Sequence, residues 1–254
     1  MSETNSTPAE ADPLSALPAC VDELAARYSR PPLEHQIARA RAEFDHQRGT
    51  VCDDEDGFEN HVALFLQWYV IDRPLDPDGP PVLHALRQGG AACDPRLLRA
   101  LASSQHALFE VLDPRLSRPT GVRVLDLVRG GLWRVDLVQP MEGLTRGDIF
   151  EGRVLPWDGR VRFGPVFCYH PRGAREAVHD IVRHARQQRW PSARVIAALA
   201  RMKLKHSRGR NVPAERTYTL RALLDPRATP AQWVAGVDAD PDPDQAQEHT
   251  WNRS

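Results

Sequence analysis

Asp126, Asp136, Asp148 and Glu151 lie in short runs rich in Val, Leu, Ile and Phe. Carboxylates carried on strands are what metal-assisted phosphodiester cleavage needs when they cluster. That chemistry often adds a lysine on a neighbouring strand, but the residue two beyond Glu151 is Arg153, and the runs look antiparallel. A metal-dependent hydrolase is therefore one alternative reading. The acidic loop Asp53, Asp54, Glu55, Asp56 lacks the alternating ligand register of a calcium loop. Its spacing Asp56-x-x-Glu59 has the shape of a capping box and predicts a helix start. Cys168, His170, His179 and His184 lack the i, i+4 pairing of a helical zinc site, so no metal is assigned. Nucleophile elbows, phosphate-cradling glycine loops and dinucleotide fingerprints are missing, so no catalytic residue and no cofactor is assigned.

Two further groups could bind rather than react. Asp72 and Arg73 form a charged pair held by Pro74 at the end of an apolar helix, a candidate cleft pair. Between residues 172 and 221 stand 13 Lys and Arg against Glu176, Asp180 and Glu215. The densest part carries Arg201, Lys203, Lys205, Arg208 and Arg210. Such a patch suits an acidic protein surface, or alternatively nucleic-acid phosphates.

The elements that must position these residues follow from periodicity. Helical spacing begins at Cys20 and returns at Leu33–Phe44 and Phe58–Ile71, the last ended by Asp72-Arg73-Pro74. Phe58, Val62, Phe65 and Tyr69, with Leu64, Trp68 and Ile71, make that helix apolar round most of its surface, as a core helix is. Short helices are expected near Val82–Gln88 and Pro95–Ser103. Five strand-like runs follow, with turn signals at Gly130-Gly131 and Asp158-Gly159. In one of them Leu132, Arg134, Asp136 and Val138 share a face opposite Trp133, Val135 and Leu137. Helical spacing resumes after His170-Pro171.

The expected fold is α+β, with an N-terminal helical layer, a central antiparallel five-stranded sheet or small barrel, and C-terminal basic helices. Residues 1–18 read as a disordered leader, 19–224 as one α+β domain (helical 19–104, sheet 105–170, helical 171–224), and 225–254 as an acidic Pro-rich tail with Trp233 inside it. A net charge of -1 argues against a general affinity for polyanions. No apolar run approaches the ~20 residues that span a bilayer. The four cysteines form no framework, so a reducing cytoplasm is expected. Only Lys203 and Lys205 of the 33 basic residues are lysines.

Four segments carry a resemblance: FLQWYVIDRPL (65–75), SQHALFEV (104–111), VRVLDLVRGG (122–131) and LTRGDIFEGRVLP (144–156). Together they resemble a bacterial family abundant in myxobacteria and largely uncharacterised. In those bacteria, proteins of this size and organisation include motility and cell-polarity regulators that act on small GTPase modules. The resemblance implies an α+β fold and a regulatory, non-enzymatic role, and it transfers no catalytic residue. The leading expectation is a cytoplasmic regulator or adaptor that works through protein–protein contacts.

Overall fold

The computed structural model describes residues 12–75, 79–89, 93–117, 120–139, 141–209 and 211–224. The chain enters through a 3-10 turn, Pro13–Ala16, and helix α1, Leu17–Arg27. Asp12 caps the turn by accepting the Leu14 N–H, with proline at the first helical position where its missing N–H costs nothing. Leu14, Leu17, Val21 and Leu24 are buried at helical spacing, so residues 13–18, expected within the leader, belong to packed structure. Helix α2, Glu34–Arg48, and α3, Phe58–Gln67, follow. The helix expected over 58–71 widens into a π-helical turn, Trp68–Asp72, where the Arg73 N–H reaches back to the Trp68 carbonyl. Phe44, Phe65, Trp68 and Tyr69 stack in its neighbourhood, as a core helix requires. The expected Asp56 cap is not made. Gly57, at φ 88°, takes the N-cap position without a side-chain bond. Glu55 instead accepts the Cys52 N–H. Helices α4, Pro81–Gln88, and α5, Pro95–Ala102, complete this layer.

All strand pairs are antiparallel. The strands are β1, Gln105–Ser117; β2, Thr120–Asp126; β3, Leu132–Asp136; β4, Ile149–Trp157; β5, Arg160–Phe163; and the short β6, Cys168–Tyr169. The order is β3-β2-β1-β4-β5, with β6 pairing β4 beside the path. A register break in β1 between Val111 and Leu116 bends that long strand. The sheet curls until β3 and β5 lie close, and Asp136 bridges them, 3.8 Å from Arg134 and 3.7 Å from Arg160. The result is a nearly closed barrel. At the β4–β5 hairpin, Asp158 (φ 48°) and Gly159 (φ 71°) both adopt left-handed backbone, the turn their Asp-Gly sequence favours.

The barrel interior is filled by Phe109, Val111, Val124, Val135, Phe150 and Val154. The β4 residues alternate strictly. Phe150 and Val154 point into the barrel, while Ile149, Glu151, Arg153, Leu155 and Trp157 point outward, and all of these are buried. Leu155 and Trp157 join the core of the N-terminal helices. Ile149, with Leu108 of β1, joins the core of α6, Arg175–Gln187, and α7, Ser192–Arg208. Glu151 and Arg153 therefore sit where the two helical layers meet. The short helices α8, Ala214–Thr217, and α9, Leu220–Leu223, close the C-terminal layer.

Phe150 is fully buried and touches Phe109, Phe163, Phe167 and Tyr169. Phe150→Ala is expected to cost about 3–5 kcal/mol, a figure typical of large-to-small core changes. A denaturant midpoint shift at unchanged slope would measure it. A cost under about 1 kcal/mol would mean that this barrel is not a packed core.

Candidate functional site

The strand carboxylates do not converge. Asp126 accepts the Val128 and Arg129 N–H groups and the Gln105 side chain, so it shapes the β2–β3 turn. Asp136 is held at the β3–β5 seam. Asp148 caps Thr145 and takes a two-pronged contact from Arg172, at 2.7 and 3.2 Å. Among the described residues, no three His, Cys, Asp or Glu side chains gather closely enough to hold a metal ion. The candidate cleft pair also separates. Asp72 pairs with Arg153, whereas Arg73 turns away to Glu43 (2.8 and 3.2 Å) and Gln36 (3.3 Å). The two residues straddle the end of the π-helical turn, where the backbone passes from helical to extended. Adjacency in sequence therefore sends their side chains to different partners.

The outward face of β4 holds a cluster whose partners the linear sequence hides. Glu151 is 1% exposed. Its carboxylate receives Arg48 at 2.6 Å and lies 2.8 Å from His106 Nε2. Burial favours the protonated form, but the Arg48 charge and the His106 contact outweigh it and hold the carboxyl well below the usual range. Arg48 is the last residue of α2, which Gly49 closes at φ 92°. A side chain there would adopt strained left-handed backbone and press on the end of the Leu204 side chain of α7 at 2.7 Å, so glycine suits this position. Arg153 donates to Ser104 at 3.1 Å and pairs with Asp72. These charged groups and Trp68 line a cavity of about 30 Å³. That is room for roughly one water molecule and not for an organic substrate.

Next along this face, Cys168 is the register partner of Glu151. Lys203 Nζ lies 2.9 Å from its Sγ. Burial and the Glu151 charge raise the thiol pKa, while Lys203 opposes them. His170 Nδ1 lies 2.9 Å from the Tyr218 hydroxyl, and burial pushes this imidazole down to about 4.

The basic patch is largely spent within the molecule. Arg208 clamps Glu55 at 2.6 and 2.8 Å and donates to the Thr50 carbonyl, so the acidic loop neutralises it. Lys203 faces Cys168, Arg201 is half-buried and Lys205 is exposed. Arg210 and the acidic tail with Trp233 lie outside the described residues. Elsewhere on these helices Arg172 binds Asp148, Arg175 binds Glu110, and Arg183 binds Asp180. Arg186 donates to the Val128 carbonyl, and Arg194 stacks on Trp190. Of the 13 basic residues between 172 and 221, seven thus have partners named here. Their charge is visible along the sequence, but Asp148, Glu110 and Glu55 lie far from their arginines in it.

No family model matches the chain, and no curated protein or solved structure matches it either.

Two outcomes are expected. Arg48→Ala leaves Glu151 buried with its main counter-charge gone, at a cost of about 3–5 kcal/mol. The Arg48→Ala/Glu151→Ala double variant should cost clearly less than the sum of the single changes, and additive costs would contradict the pairing. Stability should also fall with acid. Between an unfolded histidine pKa of about 6.5 and the folded value of about 4, the unfolded chain binds the extra His170 proton. Stability present above pH 6.5 is therefore lost progressively towards pH 4, by roughly 3 kcal/mol. Glu151, depressed in the folded state, adds loss below the ordinary carboxylate range. Chemical denaturation at several pH values should show a flatter slope between pH 6.5 and 4 for His170→Gln, and an unchanged slope would exclude His170 as the cause.

Proposed function

We propose that this chain is a non-enzymatic regulatory or adaptor protein acting through protein–protein contacts. One observation carries the reading. Leu132 of β3, 61% exposed, and Val138 just beyond its end, 65% exposed, flank the exposed Arg134. Arg123 of β2 stands directly opposite Arg134 in the register, and both are exposed. Like charges across a strand pair cost stability in the free protein. Apolar residues beside arginine are what interfaces enrich, and an acidic partner would add to the charge that Asp136 already offers Arg134.

Two further observations favour binding over catalysis. The ionisable groups on β4 are committed to one another, and the cavity they line has room for roughly one water molecule. The nucleic-acid reading loses support because six of the eleven arginines between 172 and 221 are engaged by this chain's own groups. Among the described residues no helix is long and apolar enough to cross a membrane. The resemblance to myxobacterial proteins adds a small GTPase module in motility or cell polarity as the setting, and a cytoplasmic place of action.

Affinity capture at physiological salt tests the reading. Leu132→Asp with Val138→Asp should reduce recovery of the specific partner at least tenfold, as for a hot spot worth about 2 kcal/mol. Lys205→Ala should leave it unchanged. Equal recovery by wild type and the Leu132/Val138 variant would exclude this face, and the absence of any specific partner would exclude the adaptor role.

A further inference from the structure

Cys168 and Lys203 form an arrangement with chemistry of its own. Their Sγ and Nζ atoms are 2.9 Å apart, on β6 and α7 respectively. The amine is unusual for this chain, which places arginine at 31 of its 33 basic positions and in nearly every ion pair it builds. A guanidinium could donate to Sγ equally well. A primary amine is also a nucleophile once deprotonated, and a guanidinium is not. Cys168 is half-buried, whereas Cys20 and Cys93 are buried and Cys52 is exposed. Cys168 is the described cysteine that Lys203 contacts.

We propose that Cys168 and Lys203 are a redox-modification site, joined by a covalent sulfur–nitrogen link when a hydroperoxide oxidises the thiol. As the Cys168 sulfur attacks one peroxide oxygen, its thiol proton passes through the contacting Lys203 amine to the other oxygen. The O–O bond breaks, and with hydrogen peroxide the other oxygen leaves as water, giving a sulfenic acid. Lys203 Nζ, as the free amine, then attacks that sulfur. The S–N bond forms, the S–O bond breaks, and the hydroxyl departs as water with a proton from the nitrogen. The balance is one thiol, one amine and one hydrogen peroxide giving one sulfenamide and two waters. Sulfenic acids condense in the same way with a neighbouring backbone nitrogen, and here the side-chain amine is already in contact. The link would fasten α7 to the barrel beside the Arg48–Glu151 pair, and a thiol reductant would release it.

The test uses the full chain with Cys52→Ser, which removes the exposed thiol, treated with dilute hydrogen peroxide. Intact mass should fall by two hydrogens. Tryptic mapping should find the Cys168 and Lys203 peptides joined, with no cleavage after Lys203, and dithiothreitol should restore both the mass and the cleavage. Lys203→Arg should block the link and leave a Cys168 sulfenic acid that dimedone traps. Should that variant fail to fold, the peptide map of the Lys203-containing protein decides by itself. Cys168 found unmodified, or carried to sulfinic acid with Lys203 free, would overturn the proposal.

Discussion

Everything in this molecule is arranged around a strand that is buried on both sides yet carries charge on one of them. Inside the barrel, β4 presents Phe150 and Val154 to other apolar groups, which needs nothing further. Outside, it places Glu151 and Arg153 in a low-dielectric junction, where an ion without a partner costs several kcal/mol, on the order of a whole domain's stability. Each must be met from a different direction. Arg48 comes from α2 and Asp72 from the π-helical turn, while Ser104 and His106 come from the start of β1. The helical layers are thereby fixed in register on the barrel by charge as well as by area.

This explains how the chain uses its arginines. A planar, permanently charged fork suits two-pronged contacts with carboxylates, and Arg73, Arg172 and Arg208 each make one. Glu55 of the acidic loop and Arg208 of the basic stretch are two halves of one internal clamp. Charge read along the chain therefore overstates what the surface offers a partner.

The architecture was legible where a residue's own neighbours in sequence decide its conformation. The alternation in LWRVDLV, the Asp-Gly turn and the apolar circumference of 58–71 each announce an element, and the α+β barrel with flanking helices follows. Legibility failed where the partner is distant. Asp72 and Arg73 look like a pair because they are adjacent, yet their partners are 81 and 30 residues away. Asp56 looks like a cap because Glu59 follows at the right spacing, but the backbone turns at Gly57 instead. Glu151 could be placed on a strand but not matched to Arg48. The Cys168–Lys203 contact left one trace in composition, the rarity of lysine, with nothing to say which cysteine it concerned.

The distance along the chain between Arg48 and Glu151 has a consequence for how the protein is made. The two are 103 residues apart, and the core of the N-terminal helices is finished only by Leu155, Trp157 and Val166. At ribosomal speeds of about 5–20 residues per second, the first half of the chain waits on the order of ten seconds for its covering strands. Through that interval its aromatic helix, with Phe65, Trp68 and Tyr69, has nothing to pack against but its own neighbours. The N-terminal core is thus completed only after β4 and the segment beyond it have been made.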